Sequence, residues 1–207
     1  MALYVKKHFV KQLTALTSFK SRNYRLALEE VFLKLDEVML TDSGMKELLK
    51  MSKPDESYQS YMSKDVKTMA GCTATVVLIT PKEIYCCNAG DSRTVLSKAK
   101  KSHDMSEDHK PNNPDELRRI VAANGFVEDN RVNGMLALSR ALGDFEYKNN
   151  SLLKAKDQQV TAMPEIKCTP ITADVEFICL ACDGIWDVKT SQETITYLHQ
   201  ACYPTGF

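Results

Sequence analysis

The sequence predicts an α+β fold in which an antiparallel β-sandwich is flanked by helices. Two segments with helical apolar spacing occupy residues 1–40, and short β-branched segments separated by tight turns follow them. Beyond residue 110, helical and extended segments alternate. Strands spaced as hairpins, with helices outside them, are typical of a layered α+β domain and not of a doubly wound parallel sheet.

The N-terminal helices are indicated by apolar residues that recur on one face. Val5, Phe9 and Leu13 follow helical spacing in the first segment. Residues 24–39 repeat the pattern, with Ser21 or Asn23 available as the N-cap. Each apolar face needs a surface that covers it, so we expect both helices to pack on a sheet.

Residues 41–67 are polar and contain Pro54 with five serines. This composition predicts a connecting loop with one short helical turn at 45–49. Two helices alone make a poor domain, which favours an insertion within one domain over a domain boundary. We therefore interpret residues 1–207 as a single domain.

Strands and two further helices are predicted in the rest of the chain. Residues 73–80, 83–88 and 92–97 form an antiparallel meander, and the lysines that follow it (Lys98, Lys100 and Lys101) are interpreted as a solvated loop. One helix begins at Pro114 and ends at Asn124-Gly125, and another begins at a capping box of Thr190 and Glu193. The remaining strands are predicted at 126–127, 134–138, 165–170 and 177–181.

Charge and composition exclude several classes of protein. Lys plus Arg equals Asp plus Glu, at 27 each, which argues against a nucleic-acid binder. No apolar run approaches the ~20 residues of a membrane span. Lys6 and Lys7 stand where a signal peptide has its apolar region, and the seven cysteines show no zinc-binding spacing. These features predict a cytoplasmic or nuclear protein with free thiols.

The segment from Phe177 to Asp187 holds the first candidate site. An apolar strand ends at Asp183-Gly184, and Asp187 follows one helical turn later, so both carboxylates are expected to point into one pocket. Carboxylates at a strand end suit hard cations such as Mg²⁺. The alternative is that both are turn acids that cap the next element.

Three further residues have a functional and a structural interpretation. Asp91 lies in an Asn-Ala-Gly-Asp turn and adds to a metal site only if folding brings it to Asp183. Arg140 suits a phosphate, but a structural salt bridge is the favoured interpretation. His109 is interpreted as a hydrogen-bonding anchor before Pro111 and not as a general acid.

The chain contains no Ser-His-Asp order and no phosphate-binding Gly-rich loop with lysine, which disfavours a nucleotide-binding fold.

Five motifs in order resemble the metal-dependent serine/threonine protein phosphatases of type 2C. The resemblance runs from about Ala2 to Ala201 and implies two antiparallel sheets flanked by helices. In that family, Mg²⁺ or Mn²⁺ ions activate a water that attacks phosphorus directly, without a phosphoenzyme. The motifs are Gly71-Cys-Thr-Ala74, Asn88-Ala-Gly-Asp-Ser-Arg93, Asp108-His-Lys-Pro111, the run from Arg131 to Asp144, and Ala181-Cys-Asp-Gly-Ile-Trp-Asp187.

The resemblance also implies roles for individual residues. Asp183 matches a metal ligand of the family, while Asp91 and Asp187 match carboxylates of an additional, weaker metal position. The family's Asp-Gly-His element and closing Asp-Asn element have no counterpart here, so no catalytic residue is carried over. We expect a sandwich that is incomplete at both ends, with unpaired strand edges.

Two functions follow as hypotheses. The first is metal-dependent dephosphorylation of phosphoserine and phosphothreonine proteins, without nucleic-acid or membrane partners. The second is a catalytically inactive phosphatase remnant that binds phosphoproteins or a partner subunit. The sequence carries no signal for an oligomeric state.

Overall fold

The structure, a computed structural model, describes residues 1–51 and 70–202 and consists of helices and antiparallel strands. None of the described helices is long and apolar enough to cross a membrane. The helices are α1 (Ala2–Ala15), α2 (Thr17–Lys20), α3 (Tyr24–Met39), α4 (Asp42–Met51), α5 (Pro114–Ala122), α6 (Asp183–Trp186) and α7 (Ser191–Cys202). The strands are β1 (Gly71–Cys72), β2 (Ala74–Ile79), β3 (Glu83–Ala89), β4 (Arg93–Lys98), β5 (Lys101–Asp104), β6 (Val127–Glu128), β7 (Arg131–Val132), β8 (Leu142–Gly143), β9 (Glu165–Pro170) and β10 (Val175–Ala181).

Helices α1 and α3 are confirmed, together with the N-cap at Asn23. The Asn23 side chain accepts a hydrogen bond from the Leu26 N–H at 3.4 Å, which satisfies one of the free donors of the first turn. Phe9 meets Phe32 edge to face, with ring centroids 5.5 Å apart. The apolar faces of α1 and α3 therefore cover each other in part.

The helical turn predicted at 45–49 is confirmed but too short, because it belongs to α4, which spans Asp42–Met51 and replaces the first part of the predicted loop at 41–67. Thr41 caps it: the Thr41 hydroxyl accepts a hydrogen bond from the Gly44 N–H at 3.1 Å. Leu48 is buried, whereas the apolar Leu49 beside it is exposed. The rest of the predicted loop, residues 52–67, lies outside the described residues.

The chain divides into two compact units, and the first contains the described parts of Met1–Thr73 and His109–Pro164. It holds α1 to α5 and two short strand pairs, β1 with β8 and β6 with β7. The strand predicted at 134–138 is wrong: Asn133 and Gly134 adopt positive φ and turn the chain, leaving one isolated bridge from Val132 to Leu136. The end of α5 is confirmed, with Asn124 in the left-handed region.

The second unit contains Ala74–Asp108 and the described part of Glu165–Phe207, and it is a β-sandwich. One sheet has the order β2-β3-β9 and the other β10-β4-β5, and all neighbours are antiparallel. Ile84 and Cys86 of the first sheet pack with Leu96 of the second. The opposite face of β4 is covered by α6 and α7: Val95 packs with Trp186 of α6 and Ile195 of α7. The α+β fold class with antiparallel sheets is therefore confirmed.

The hairpin from β4 to β5 replaces the solvated loop predicted at the lysines. Ala99 and Lys100 both have positive φ, as the tight turns of two-residue hairpins require, and Lys98 pairs with Lys101. The capping box of α7 is confirmed: the Glu193 carboxylate accepts from the Thr190 N–H at 2.8 Å, and the Thr190 hydroxyl accepts from the Glu193 N–H at 3.2 Å.

Candidate active site

Asp91 and Asp183 lie at the same end of the sandwich. Arg93, the first residue of β4, pairs with Ala181, the last residue of β10. Asp91 precedes Arg93 by two positions, and Asp183 follows Ala181 by two positions. In an antiparallel pair, the start of one strand lies beside the end of the other. The two acids therefore follow and precede neighbouring strand ends at the same end of the sheet.

The turn that carries Asp91 is held by the Asn88 side chain. The Asn88 amide donates to the Gly90 carbonyl at 3.0 Å and to the Glu107 carbonyl at 3.3 Å. Gly90 has a φ of 119°, a conformation that side chains rarely adopt. Asp91 is buried, with 7% of its surface exposed. Its position is therefore fixed by its neighbours.

Polar side chains occupy the sandwich interior at this end. The Thr75 and Thr94 hydroxyls are hydrogen-bonded across the two sheets at 2.7 Å, and the Thr94 N–H donates to the Ser106 hydroxyl at 3.0 Å. Among the described residues, one buried side-chain oxygen or nitrogen atom has no hydrogen-bond partner, and it is Asn88 Oδ1. The interior thus changes from apolar around Leu96 to polar toward the turn of Asp91.

Asp183 is the first residue of the short helix α6, and Asp187 follows its last residue. Both side chains are exposed. The Asp183 carboxylate accepts from the Gly184 N–H at 2.9 Å, and the Asp187 N–H donates to the Asp183 carbonyl at 2.8 Å. An added Cβ at Gly184 meets nothing within 4 Å, so the packing there does not require glycine. The Trp186 indole donates to the Ala181 carbonyl at 2.8 Å and anchors α6 to β10.

An open cavity of about 650 Å³ is lined by Asp187 together with Arg93, Asp104 and Lys189. Neither Asp183 nor Asp91 belongs to its lining. Of the three predicted ligands, Asp187 alone lines this cavity, and the common metal pocket of Asp183 and Asp187 stays a prediction.

Arg93 is a residue of this region whose role the sequence did not indicate. Its guanidinium donates twice to the Asp108 carboxylate, at 2.9 Å each, and lies 5.2 Å from the Trp186 ring centroid. The hydrogen bonds to Asp108 raise the pKa of Arg93 and outweigh the opposing effect of burial. The only signal in the sequence was that both residues belong to motifs of the family.

The donor chemistry of the three acids fits a hard cation, but their arrangement provides an incomplete ligand set. Carboxylate oxygens, with the unpartnered Asn88 Oδ1 nearby, are the atom type that Mg²⁺ and Mn²⁺ prefer. Within residues 1–51 and 70–202, no group of three or more His, Cys, Asp or Glu residues is placed to hold a metal ion. Asp91, Asp183 and Asp187 therefore do not form a complete metal site by themselves in the described part of the chain.

Arg140 and His109 have structural contacts in the first unit. Arg140 donates to Glu116 at 2.6 Å, which confirms the predicted salt bridge. His109 is buried, and its carbonyl accepts hydrogen bonds from the N–H and the hydroxyl of Ser139, both at 3.0 Å.

Comparison with known proteins decides the family. The model of the family "Protein phosphatase 2C" matches residues 2–202. The chain belongs to the protein phosphatase 2C family. Protein phosphatase 2C 1 of Paramecium tetraurelia is 47% identical over 197 residues, which cover 94% of this chain and 62% of that protein. Protein phosphatase 2C homolog 2 of Schizosaccharomyces pombe is 44% identical, over 97% of this chain and 49% of that protein.

Solved structures agree with this fold. A serine-threonine phosphatase 2C from Toxoplasma gondii matches with a TM-score of 0.72 at 19% identity, over 96% of this chain and 68% of that one. A Caenorhabditis elegans sex determining protein matches with a TM-score of 0.70 at 26% identity, over 97% of this chain and 45% of that one. The chain spans less than two thirds of the length of the 2C relatives named above.

Proposed function

We propose that this protein dephosphorylates phosphoserine and phosphothreonine proteins with the help of Mg²⁺ or Mn²⁺. The ion would bind at the end of the sandwich where Asp91 and Asp183 lie. The observation that carries the proposal is the register of β4 with β10, which sets the two acids at one end of the sandwich. Family membership supports the reaction class, since the relatives are named as protein phosphatases.

The chain's own residues have separate tasks in this proposal. Asp183 and Asp187 present exposed carboxylates at the two ends of α6, and Asp91 presents a third from the clamped turn. Asn88 keeps that turn in place and leaves one buried acceptor beside it. When bound, a divalent ion lowers the pKa of a water and neutralises charge that develops on phosphoryl oxygens.

The test is hydrolysis of p-nitrophenyl phosphate and of a phosphothreonine peptide by the purified 207-residue chain in Mn²⁺. We expect turnover that EDTA removes and that Asp183→Asn lowers by at least about 100-fold, as loss of a group acting in the transition state does. Asp174→Asn is the matched control, because Asp174 is an exposed acid immediately before the opposite end of β10. Equal turnover in Asp183→Asn and wild type would refute the assignment of Asp183.

A second candidate function is a phosphoprotein-binding module without turnover. It is favoured by the absence, among the described residues, of a group of three metal-ligating side chains. A folded chain that binds the phosphothreonine peptide, but neither binds Mn²⁺ in calorimetry nor hydrolyses the peptide, would support it. Mn²⁺-dependent turnover that Asp183→Asn abolishes would exclude it.

A further inference from the structure

A separate pocket of about 400 Å³ lies in the first unit, between α3 and the segment 145–162. Its volume falls within the range of about 300–1,000 Å³ that is usual for small-molecule sites. We call it the α3 pocket. Its apolar lining consists of Leu33, Leu40, Phe145, Leu153, Ala155 and Ala162.

A buried ion pair lies in the wall of the α3 pocket. The Lys148 ammonium is 2.5 Å from the Asp36 carboxylate and donates to the Ala141 carbonyl at 2.7 Å. The second Asp36 oxygen accepts from the Gly143 N–H at 2.9 Å. Burial lowers the pKa of Lys148 and raises the pKa of Asp36, in both cases against the attraction of the pair. These contacts occupy both groups within the protein.

The loop side of the pocket is held in place by Gln158, which is 5% exposed. Its amide donates to the Asn150 carbonyl at 2.7 Å and to the Leu153 carbonyl at 3.1 Å. Its side-chain oxygen accepts from the Asn150 N–H at 3.1 Å. Three bonds from one buried side chain fix residues 150–153, so the pocket is preformed and a ligand would not have to order it.

Each charged residue of the α3 pocket lining has an oppositely charged partner. Asp36 pairs with Lys148 within the lining, and Glu37 pairs at 2.9 Å with Lys34, a residue of α3 outside the lining. An ionic ligand would lose its hydration without gaining an opposite charge. Asn149 and Ser151 add an amide and a hydroxyl to the lining and provide hydrogen-bonding groups for an uncharged polar function.

We propose that the α3 pocket binds a small uncharged molecule with an aromatic or branched apolar body and one or two hydrogen-bonding groups. The apolar residues of α3 and of the loop enclose the body, and the amide and hydroxyl of Asn149 and Ser151 orient the polar function. Such a ligand would contact α3 and the loop at once and hold them together. The proposal does not depend on phosphatase activity, because the pocket contains none of Asp91, Asp183 and Asp187.

The test uses three probes with the same ring system and different charges: indole, indole-3-acetate and tryptamine. Binding to the 207-residue chain is followed by amide chemical shifts in ¹H–¹⁵N NMR spectra. We expect indole to shift amides within 33–40 and 145–158, and each charged probe to bind at least about tenfold weaker, equivalent to about 1.4 kcal/mol.

Variants locate the binding site. Ala155 is exposed at the pocket, and Ala155→Phe should fill the space and abolish the indole shifts. Ala122→Phe is the control, since Ala122 is exposed on α5 outside the pocket lining. Leu40→Ser removes apolar lining at an exposed position and should weaken indole binding severalfold without affecting folding.

Three outcomes would overturn the proposal. They are no indole-induced shift at millimolar concentration, equal binding of the three probes, or shifts that persist in both Ala155→Phe and Leu40→Ser. Loss of phosphatase activity plays no part in the readout, so failure here is distinct from failure of the proposed reaction.

Discussion

Arg93 and Asp108 form a two-point ion pair in which both guanidinium bonds are 2.9 Å long. Arg93 begins β4 directly after the turn of Asp91, and Asp108 ends the segment that follows β5. Both side chains are about one fifth exposed, at 22% and 18%. The pair therefore connects the start of β4 to residues 105–108, near the proposed metal site at Asp91.

Replacing Arg93 by lysine should lower the free energy of unfolding by about 1.5–3 kcal/mol, the range for hydrogen bonds to charged groups. Lysine cannot make the two parallel bonds, and it lacks the planar guanidinium that lies 5.2 Å from the Trp186 ring centroid. Urea unfolding measures the change. Arg118→Lys is the control, since Arg118 pairs with Asp115 while both are largely exposed, and a change of at most about 0.5 kcal/mol is expected there. Similar losses in both variants would contradict the assigned role of the Arg93 pair.

Asn88→Ala should loosen the turn of Asp91. The variant removes the donors to the Gly90 and Glu107 carbonyls, and we expect a loss of about 2 kcal/mol for two buried hydrogen bonds. Backbone amide hydrogen exchange should become faster at residues 89–92 and change less in β9. Asn112→Ala, at an exposed position, provides the control. Unchanged exchange at 89–92 in Asn88→Ala would show that the amide clamp does not hold the turn.

The sequence predicted elements whose pattern is local. Helix α3 followed from its apolar spacing and from Asn23, and the capping box of Thr190 and Glu193 predicted the start of α7. Helix α4 was predicted only as a turn at 45–49, because its burial rests on few residues, such as Leu48. Strand β5 was missed because Lys101–Asp104 carries no apolar residue and is defined by its pairing with β4.

The candidate site was predictable to the same extent. Asp183 and Asp91 could be selected as strand-end and turn acids, and the family resemblance put them together. The pairing of Arg93 with Asp108 depends on the path of the chain through β4 and β5, which a separation of 15 residues does not reveal.

Glu116 should make stability depend on acidic pH. Burial alone would raise the pKa of Glu116, but Arg140 and Arg119, with the hydroxyl of Ser139, lower it to about 2. A carboxyl with a lowered folded-state pKa stabilises the protein fully above its unfolded value of about 4.3 and loses this contribution as pH falls toward 2. Urea unfolding between pH 5 and pH 2.5 should therefore show stability that declines steadily.

Glu116→Gln separates this group from the other carboxyls. The variant should be less stable at pH 6 by about 3 kcal/mol, the lower end for breaking a buried ion pair. Its stability should also decline less between pH 5 and pH 2.5 than that of the wild type. Asp115→Asn, at the exposed neighbouring position, should keep the wild-type slope. An unchanged slope in Glu116→Gln would mean that other groups carry the acid dependence.

The pair of Asp36 and Lys148 should behave as a unit. Either Asp36→Leu or Lys148→Met alone leaves one buried charge without its partner, and each should cost about 3–5 kcal/mol of unfolding free energy. The double variant removes both charges from a site where burial already opposes ionisation of each group. Its loss should be smaller than that of either single variant, although the Gly143 N–H and the Ala141 carbonyl lose their partners. A urea-unfolding double-mutant cycle measures the coupling, which should reach at least about 2 kcal/mol for residues in direct contact. Additive losses would show that the two charges stabilise the first unit independently of each other.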